Sequence, residues 1–336
     1  MVGLQDIDEA WKEFLEDESI TDVEQIDLNK INDVPSCGDL YISTKTKIAF
    51  LSKGINLAEI FWELPLIGYY EKDEGIIKKE MKFNSINQKE LDNIIKELQS
   101  PKYKNNYIQE NIINRVVNPN GRVKFKDIRK ISIGLCKKDI ASYKCKKKGA
   151  FYNCFVIILI FKFKNTFKEI HVKVFNTGKL EIPGIQENEI LTRVLDLTVN
   201  ILNKASNLGI SSVTDSCETV LINSNFNCGF FINRDKLFQI LKLKYKINCS
   251  YDPCSYPGIQ AEYATDSIKK ISFMVFRTGS VLIVGKCSED DLYFIYNFLK
   301  TLLINEYNDI FVEYPKESKP TLEKKKRRKT ILFYKD

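Results

Sequence analysis

The sequence contains few of the residues from which active sites and metal centres are built. Only one of its 336 residues is a histidine, His171, and its nine cysteines are scattered singly, without a CxxC pair. This spacing predicts neither a disulfide framework nor a tetrahedral zinc site, so we expect most thiols to be buried as small apolar side chains in a reducing compartment. The sequence also has no phosphate-binding glycine loop and no pair of carboxylates in a special setting. We therefore expect no catalysis, no metal and no cofactor, and a structural role for His171.

A long apolar run is also missing. No segment reaches the length that spans a bilayer, and the first thirty residues are acidic rather than basic and apolar. The composition, with 44% hydrophobic and 28% charged residues, is that of an ordinary globular protein. We expect a soluble protein that is neither secreted nor bound to membranes.

Charge of one sign is concentrated at each end of a chain whose net charge is +7. Acidic residues dominate residues 1–37, where Trp11, Phe14 and Leu15 share a helical face, and residues 324–329 are all lysine or arginine. The acidic arm is typical of a segment that docks on a coactivator or a basic surface, and the basic block of a nucleic-acid arm or a nuclear address. A disordered arm and a solvated tail are the alternatives.

One pattern occurs twice. VFNTGKLEIPG occupies residues 174–184 and VFRTGSVLIVG residues 275–285, with six of eleven positions identical, including both glycines. Each copy is followed by apolar residues at helical spacing, and further upstream each is preceded by a strand pattern that runs into a short helix pattern. These patterns predict a duplicated antiparallel unit with its helices all on one face. We predict an acidic arm at 1–38, a first repeat at 39–205, a second repeat at 206–315 and a basic tail at 316–336.

The first repeat carries an insert at about residues 65–149. It contains a helix pattern, NQKELDNIIKELQ, a turn at NPNG and a lysine-rich end, and we expect it to form an extra lobe. The strand pattern that follows, CFVIILIF at 154–161, is apolar at every position, whereas strands of antiparallel sheets usually alternate. Either the insert covers the second face of this strand, or that face is a binding surface.

Two stretches resemble a known family. YDPCSYPGIQAEY (Tyr251 to Tyr263) resembles the tyrosine, acid and proline turn and the following aromatic, Pro, Gly and aliphatic strand of TATA-box-binding proteins, and FMVFRTGSVLIVGKCSEDD resembles the hairpin that comes next. The divergence, the insert and the composition resemble the version found in large nucleocytoplasmic DNA viruses of the mimivirus kind. The resemblance implies an α+β fold. It would be a saddle of two pseudo-symmetric repeats, with a curved antiparallel sheet on the DNA minor groove and helices on the convex face.

The resemblance also implies two wedge aromatics in each repeat, which open the base steps at the ends of the site. Matching motif to motif gives Tyr256 and Phe276 in the second repeat, and Phe175 and Tyr152 in the first, with Phe151 as the alternative to Tyr152. A buried core position is the structural alternative for Phe175 and Phe276.

Polar residues that the family uses for base contacts are absent from the matched positions. The family has a threonine before the last glycine of each hairpin and an asparagine near the start of each first strand; this chain has Pro183, Val284, Leu40 and Leu221. Asn223 and Asn225 take the place of the asparagine only if the register slips. Because such donors read the minor groove, we expect recognition to rest on DNA shape and deformability, with a weakened preference for TATA.

Basic residues flank the two hairpins and are candidates for phosphate contacts, which would make binding depend on salt. They are Lys173, Lys179, Arg277 and Lys286, with Lys269 and Lys270 just upstream of the second hairpin. Ordinary solvated charges are the alternative for each of them.

The resemblance implies a transcription initiation factor that binds and kinks AT-rich promoter DNA as a monomer and recruits a basal factor of the factor-IIB type and RNA polymerase. It would act in a viral factory in the host cytoplasm or in the virion if the chain is viral, and otherwise in the nucleus. One hypothesis is that the acidic arm folds back on the concave sheet as a DNA mimic. The alternatives are a saddle that binds a protein or an RNA–DNA hybrid, and a virion-packaged assembly protein.

Overall fold

The computed structural model describes residues 35–71, 73–141, 151–206, 209–264 and 270–313, without the side chains of residues 213–216. These residues fall into two compact units. The first unit is Thr44–Val220, and the second unit combines residues 35–43 with residues 221–313. The predicted acidic arm up to residue 34, the lysine-rich end of the insert and the basic tail lie outside the described residues.

The first unit contains most of the first strand and the whole insert. In chain order its elements are β1 (Tyr41–Leu51), α1 (Leu57–Glu63), β2 (Gly75–Ser85), α2 (Gln88–Leu98), β3 (Ile108–Val117), β4 (Phe125–Gly134), α3 (Lys137–Ala141), β5 (Cys154–Phe163), β6 (Thr166–Phe175), β7 (Lys179–Ile185) and α4 (Asn188–Ser206). The strands pair antiparallel in the order β1-β7-β6-β5-β2-β4-β3.

The second unit repeats this plan without α2, β3, β4 and α3. It contains the end of β8 (Ser212–Asn227), then β9 (Phe231–Ile232), α5 (Arg234–Leu243), β10 (Asn248–Ser250), β11 (Ile259–Tyr263), β12 (Ile271–Val275), β13 (Ser280–Gly285), α6 (Glu289–Asn305), α7 (Tyr307–Ile310) and β14 (Phe311–Val312). Its strands pair antiparallel in the order β10-β11-β12-β13-β8, which matches β2-β5-β6-β7-β1 of the first unit. The predicted α+β class and internal duplication are confirmed.

The long helices begin where the sequence predicts and bury the predicted faces. At the start of α6, Ser288 and Asp291 form a capping box, in which each side chain satisfies a backbone N–H of the other. The predicted apolar faces are largely buried, through Leu292, Ile295, Leu299 and Leu302 in α6 and through Ile190, Val194 and Ile201 in α4. None of the described helices is long and apolar enough to cross a bilayer. We call the sheet face turned away from α4 or α6 the second face of each unit.

One of the two glycines that both copies of the repeated hairpin share lies in the turn of the hairpin. Gly178 and Gly279 adopt φ angles of +84° and +82°, which side chains with a Cβ rarely adopt. A Cβ at Gly178 would lie 2.6 Å from the Lys53 carbonyl oxygen, and one at Gly279 would lie 2.4 Å from the Phe230 carbonyl oxygen. Both backbone conformation and space therefore require glycine at these two positions.

The insert extends the sheet of the first unit instead of forming the expected extra lobe. Strand β2 pairs with β5, β4 pairs with β2, and β3 pairs with β4. The physical reason is that a long apolar strand such as β5 leaves its backbone groups unpaired at a sheet edge unless another strand adds to it. The helix predicted in the insert is confirmed as α2, and the NPNG turn joins β3 to β4.

The insert also covers part of the second face of β5, as one of the two alternatives proposed. Ile158 and Ile160 are buried there in a cluster with Ile77, Cys136, Ile67 and Tyr69. The other alternative, a binding surface, is wrong for this part of the strand. Helix α3 lies on the same side, since its Asp139 pairs with Lys78 at 2.9 Å. The expectation that all helices cover one face is therefore wrong for the first unit.

The segment that leads into β1 is already part of the second unit. Cys37 is buried in its core, and the Gly38 N–H donates to the Asn227 carbonyl oxygen at 2.7 Å. The Tyr296 hydroxyl donates to the Gly38 carbonyl oxygen at 2.9 Å. A truncation that removes the acidic arm without disturbing these contacts must therefore stop before Cys37.

Fewer of the thiols are buried than the sequence predicts. Among the described cysteines, Cys37, Cys136, Cys154 and Cys228 are buried, whereas three others are half-buried and Cys254 is exposed. Burial raises the pKa of the Cys228 thiol to about 12, so it stays protonated at neutral pH. The buried thiols act as small apolar side chains.

A buried lysine joins the insert to helix α1. The side chain of Lys79 in β2 is fully buried, and its Nζ lies 2.7 Å from the Phe61 carbonyl oxygen, 2.8 Å from that of Leu64 and 3.0 Å from the Tyr103 hydroxyl. The two carbonyls belong to the end of α1, where helices leave such groups unsatisfied. Burial, aided by the nearby ammonium of Lys102, lowers the pKa of Lys79 to about 7.

This pKa predicts a pH-dependent contribution to stability. Between pH 7 and the ordinary lysine pKa of 10.5, the unfolded chain binds a proton at Lys79 that the folded chain does not, so the free energy of unfolding rises with pH. We expect urea unfolding to show that wild type gains stability relative to Lys79→Met between pH 7 and pH 10. Lys89→Met, at an exposed lysine of α2, is the control and should show no such trend. A constant difference for Lys79→Met would mean that its three oxygen neighbours keep the ammonium charged.

Candidate functional site

The second face of the second unit carries a compact apolar cluster. Leu221, Met274, Leu282 and Val284 are buried there, with relative exposures between 2% and 9%. They come from β8, β12 and β13 and alternate along these strands with core residues that pack on α5 and α6, such as Phe273 and Ile283. We call these four residues the second-face cluster.

The two predicted wedge residues of the second repeat pack against this cluster. Tyr256 lies in the loop before β11 and Phe276 directly after β12, and their ring centroids are 6.0 Å apart with the planes inclined by 60°. Gly258 makes room for them, since a Cβ there would lie 3.0 Å from a Phe276 ring carbon and 3.2 Å from a Tyr256 ring carbon. The structure thus brings Tyr256 and Phe276 together beside an apolar surface.

Two asparagines lie beside the cluster on the same face. Asn223 is directly opposite Val284, and Asn225 is directly opposite Leu282, in the pairing of β8 with β13. Because residues opposite each other in an antiparallel pair point to the same face, both amides lie on the second face, where both residues are half-buried. The second face therefore combines apolar side chains with amide donors and acceptors.

In the first unit the predicted aromatics lie under lysine side chains. Phe175, at the end of β6, is half-buried, and the Lys179 Nζ lies 5.0 Å from its ring centroid. Tyr152 precedes β5, is 55% exposed, and has the Lys82 Nζ 3.6 Å from its ring centroid. These distances fit cation–π contacts. Phe151 is also exposed, so both candidates for the fourth wedge are accessible.

The predicted phosphate contacts have different surroundings. Lys173 forms an ion pair with Glu181 at 2.8 Å on the second face of the first unit, and each side chain is 19% exposed. Arg277 and Lys286 are exposed at the turn and at the end of the second hairpin. Pro183 is half-buried where the pairing of β7 with β1 shifts register. Lys270 pairs with Glu262 at 2.7 Å, and Lys269 lies outside the described residues.

Sequence reasoning missed several residues of these faces. In the second unit they are Met274 and Leu282, which are two positions before Phe276 and Val284 and so share their face. In the first unit Phe50, 38% exposed, lies opposite Lys179. Strand periodicity counted back from the predicted residues identifies Met274 and Leu282. The pairing of β1 with β7, which places Phe50, has no such local signal.

The space at Gly258 is open to a direct test. We expect Gly258→Ala to push the two rings apart, because its Cβ would be in contact with both, and to lower the free energy of unfolding by about 1–2 kcal/mol. Near-ultraviolet circular dichroism should report the changed aromatic environment, and urea unfolding the stability. A Cβ at Gly38 would make only an ordinary contact, 3.5 Å from the Asn227 carbonyl oxygen, so Gly38→Ala is the control for a glycine substitution as such. Unchanged aromatic signals in Gly258→Ala would contradict this account of the site.

Comparison with known proteins points to one family. The family model described as "Transcription factor TFIID (or TATA-binding protein, TBP)" matches residues 222–305. The TATA-box-binding protein-like protein of Acanthamoeba polyphaga mimivirus is 28% identical over 200 residues, which cover 52% of this chain and 54% of that protein. TATA-box-binding protein 2 of Entamoeba histolytica is 27% identical over 148 residues, covering 41% of this chain and 60% of that protein.

The matches extend over part of each relative. The chain spans between 54% and 60% of the length of these two curated relatives. The solved structure of Methanococcus jannaschii TBP aligns with a TM-score of 0.37 at 15% identity, over 80% of this chain and 99% of that chain. The family match covers Met274, Leu282 and Val284 of the second-face cluster together with Phe276 and Tyr256, and it begins one residue after Leu221.

Proposed function

Because the chain is a divergent relative of the TATA-box-binding proteins, we propose that it is a transcription initiation factor that binds AT-rich, TATA-like promoter DNA through the minor groove and kinks it. The observation that supports this best is the aromatic pair of Tyr256 and Phe276 at the border of the second-face cluster. An apolar surface with aromatic wedges suits an opened minor groove, where sugars and base edges replace water. Asn223 and Asn225 would supply the polar contacts.

The same proposal assigns wedges and partners to the rest of the chain. Phe175 and Tyr152 are the wedges of the first repeat, and Lys173, Lys179, Arg277 and Lys286 contact phosphates. Once on DNA, the protein recruits a basal factor of the factor-IIB type and RNA polymerase. The similarity to the mimivirus protein supports a viral origin and therefore action in a viral factory or the virion.

Energy transfer across a short duplex tests the kinking. With about twenty-five base pairs labelled at both ends, we expect wild type to shorten the end-to-end distance, and Phe276→Ala and Phe175→Ala to abolish the shortening, since unstacked steps need a wedge. TATA-containing, scrambled AT-rich and GC-rich duplexes across salt concentrations separate sequence preference from phosphate attraction.

A neighbouring aromatic provides the matched control. Tyr152→Ala should reduce the bend, whereas Phe151→Ala, at a residue that is 43% exposed and one position earlier, should leave it intact. If wild type binds the duplex without bending it, this result would contradict the kinking proposal. It would instead favour a protein or an RNA–DNA hybrid as the ligand.

Carboxylates on the second face favour an alternative function, in which the sheet binds a protein. Glu181 neutralises Lys173, and Glu262 pairs with Lys270, although a surface that follows phosphates has no need of carboxylates. A protein partner with its own basic and acidic side chains would use both signs of charge. The DNA proposal therefore predicts that Glu181 weakens binding.

Substitution of Glu181 separates the two functions. On the DNA proposal, Glu181→Gln frees Lys173 for a phosphate, so we expect about threefold or greater tightening and a steeper dependence of affinity on salt. Fluorescence anisotropy with a labelled duplex measures both. Glu187→Gln removes a carboxylate that pairs with the exposed Lys164 and should change neither. Weaker DNA binding by Glu181→Gln would contradict the assignment of Lys173.

A further inference from the structure

The outermost strand of the insert has an exposed edge. Strand β3 pairs with β4 and has no second neighbour strand in the part of the chain that the structure describes. Its apolar side chains are unusually accessible, with exposures of 36% for Ile108, 51% for Ile112, 43% for Ile113 and 60% for Val117. Proteins usually protect so long an edge, because its backbone groups can pair with another strand. An accessible apolar edge thus points to a partner strand.

The sequence of β3 is complementary to itself in the antiparallel direction. In IQENIINRVV, placing Ile112 opposite Ile113 of a second copy also places Glu110 opposite Arg115, Asn111 opposite Asn114 and Ile108 opposite Val117. In these pairs opposite charges meet, amides meet amides and apolar side chains meet apolar side chains. The remaining pair, Gln109 opposite Val116, is mismatched. Such pairs are the unit of stabilisation between strands.

In a regular strand this pairing is geometrically impossible. A two-fold axis perpendicular to the sheet preserves its faces, so the two residues of each pair must lie on one face and be an even number of positions apart. Glu110 and Arg115 are five positions apart. An unbroken alternation would place them on opposite faces.

A β-bulge in β3 removes this obstacle. Ile112 pairs with Arg129 and Asn114 with Ile128, so Ile113 is an extra residue that shifts the alternation by one. As a result Glu110 lies opposite Ile131 and Arg115 opposite Asp127, on the same face of β4. By the same shift Asn111 and Asn114 share the other face. The bulge thus places both members of each pair on one face.

An ion network on β3 and β4 ends at Glu110 and Arg115, which would lie opposite each other in the pair of β3 strands. Arg129 pairs with Glu110 and, at 2.6 Å, with Asp127, and Arg115 lies 3.8 Å from Asp127. The inner members are buried, whereas the side chains of Glu110 and Arg115 remain 35% and 50% exposed. The symmetric pairing brings each exposed end to its opposite charge on the other copy. The two networks would join into one closed ring.

We propose that β3 is a dimerisation edge through which two copies of this chain pair antiparallel about a two-fold axis between Ile112 and Ile113. The interface is isologous, so the same strand serves both copies. A single strand pair buries less surface than the roughly 1,200 Å² of stable interfaces, so we expect a reversible dimer with a Kd on the order of 10 µM. No residue of the second-face cluster takes part. The proposed DNA-binding residues of the first unit also lie outside β3, so the dimer proposal does not rest on the proposed DNA binding.

Sedimentation velocity on the full chain without DNA tests the dimer. Over about 1–100 µM we expect a monomer–dimer equilibrium in wild type. Ile113→Lys should weaken it at least about tenfold, since two ammonium groups would meet near the axis. Val123→Lys changes an exposed residue, 49% accessible, outside β3 and should leave the equilibrium unchanged. A monomer throughout this range, or a dimer that Ile113→Lys leaves intact, would overturn the proposal.

Cross-linking tests the register. A short bis-maleimide should join chains in a mixture of Asn111→Cys and Asn114→Cys, but much less in either variant alone, because position 111 lies opposite position 114 and not opposite itself. Wild type under the same conditions accounts for native thiols such as the exposed Cys254. Equal cross-linking in each single variant would contradict the two-fold pairing. Protection, in a monomer, of the β3 amides that point away from β4 would instead identify a segment of the same chain as the occupant of the edge.

Discussion

The alternation of side chains along the strands is the constraint on which both surfaces of this protein depend. Helices cover one face of each sheet, so positions such as Phe273 and Ile283 must be apolar to form the core. The residues between them point away from the helices and need not be apolar. Met274 and Leu282 are nevertheless apolar, so the second face has a buried apolar cluster of its own, packed against Tyr256 and Phe276. A sheet with apolar residues on both faces needs contacts on both sides.

The insert reduces the accessible part of the second face in the first unit. By covering Ile158 and Ile160 it removes the far half of β5 from any ligand, and it leaves the end near Cys154 and Phe175. The extension is held by polar groups, since Lys79 satisfies carbonyls of α1 and Lys78 pairs with Asp139. Breaking one member of such a buried set is costly because its partners stay buried. The insert is therefore a fixed part of the unit, and it determines which part of the second face remains available.

The sequence predicted the elements that local patterns encode. The capping box at Ser288, the turn glycines and the helical faces depend on residues a few positions apart, so spacing alone revealed them. The motif singled out Tyr256 and Phe276, and the structure places their rings next to each other. What sequence could not predict depends on pairing between distant strands. The Lys173–Glu181 ion pair, the position of Asn223 opposite Val284 and the addition of β2 to β5 are all set by register, which no local pattern specifies.

Register also explains why the two repeats are not equivalent as binding surfaces. The second unit presents the second-face cluster and two amides, whereas the first presents an ion pair and aromatic rings under ammonium groups. An apolar surface favours a ligand whose deformation exposes sugars and bases, and a charged surface favours phosphates and weakens with salt. The second face of each unit therefore has its own ligand preference. A difference of 1.4 kcal/mol between them corresponds to a factor of about ten in affinity.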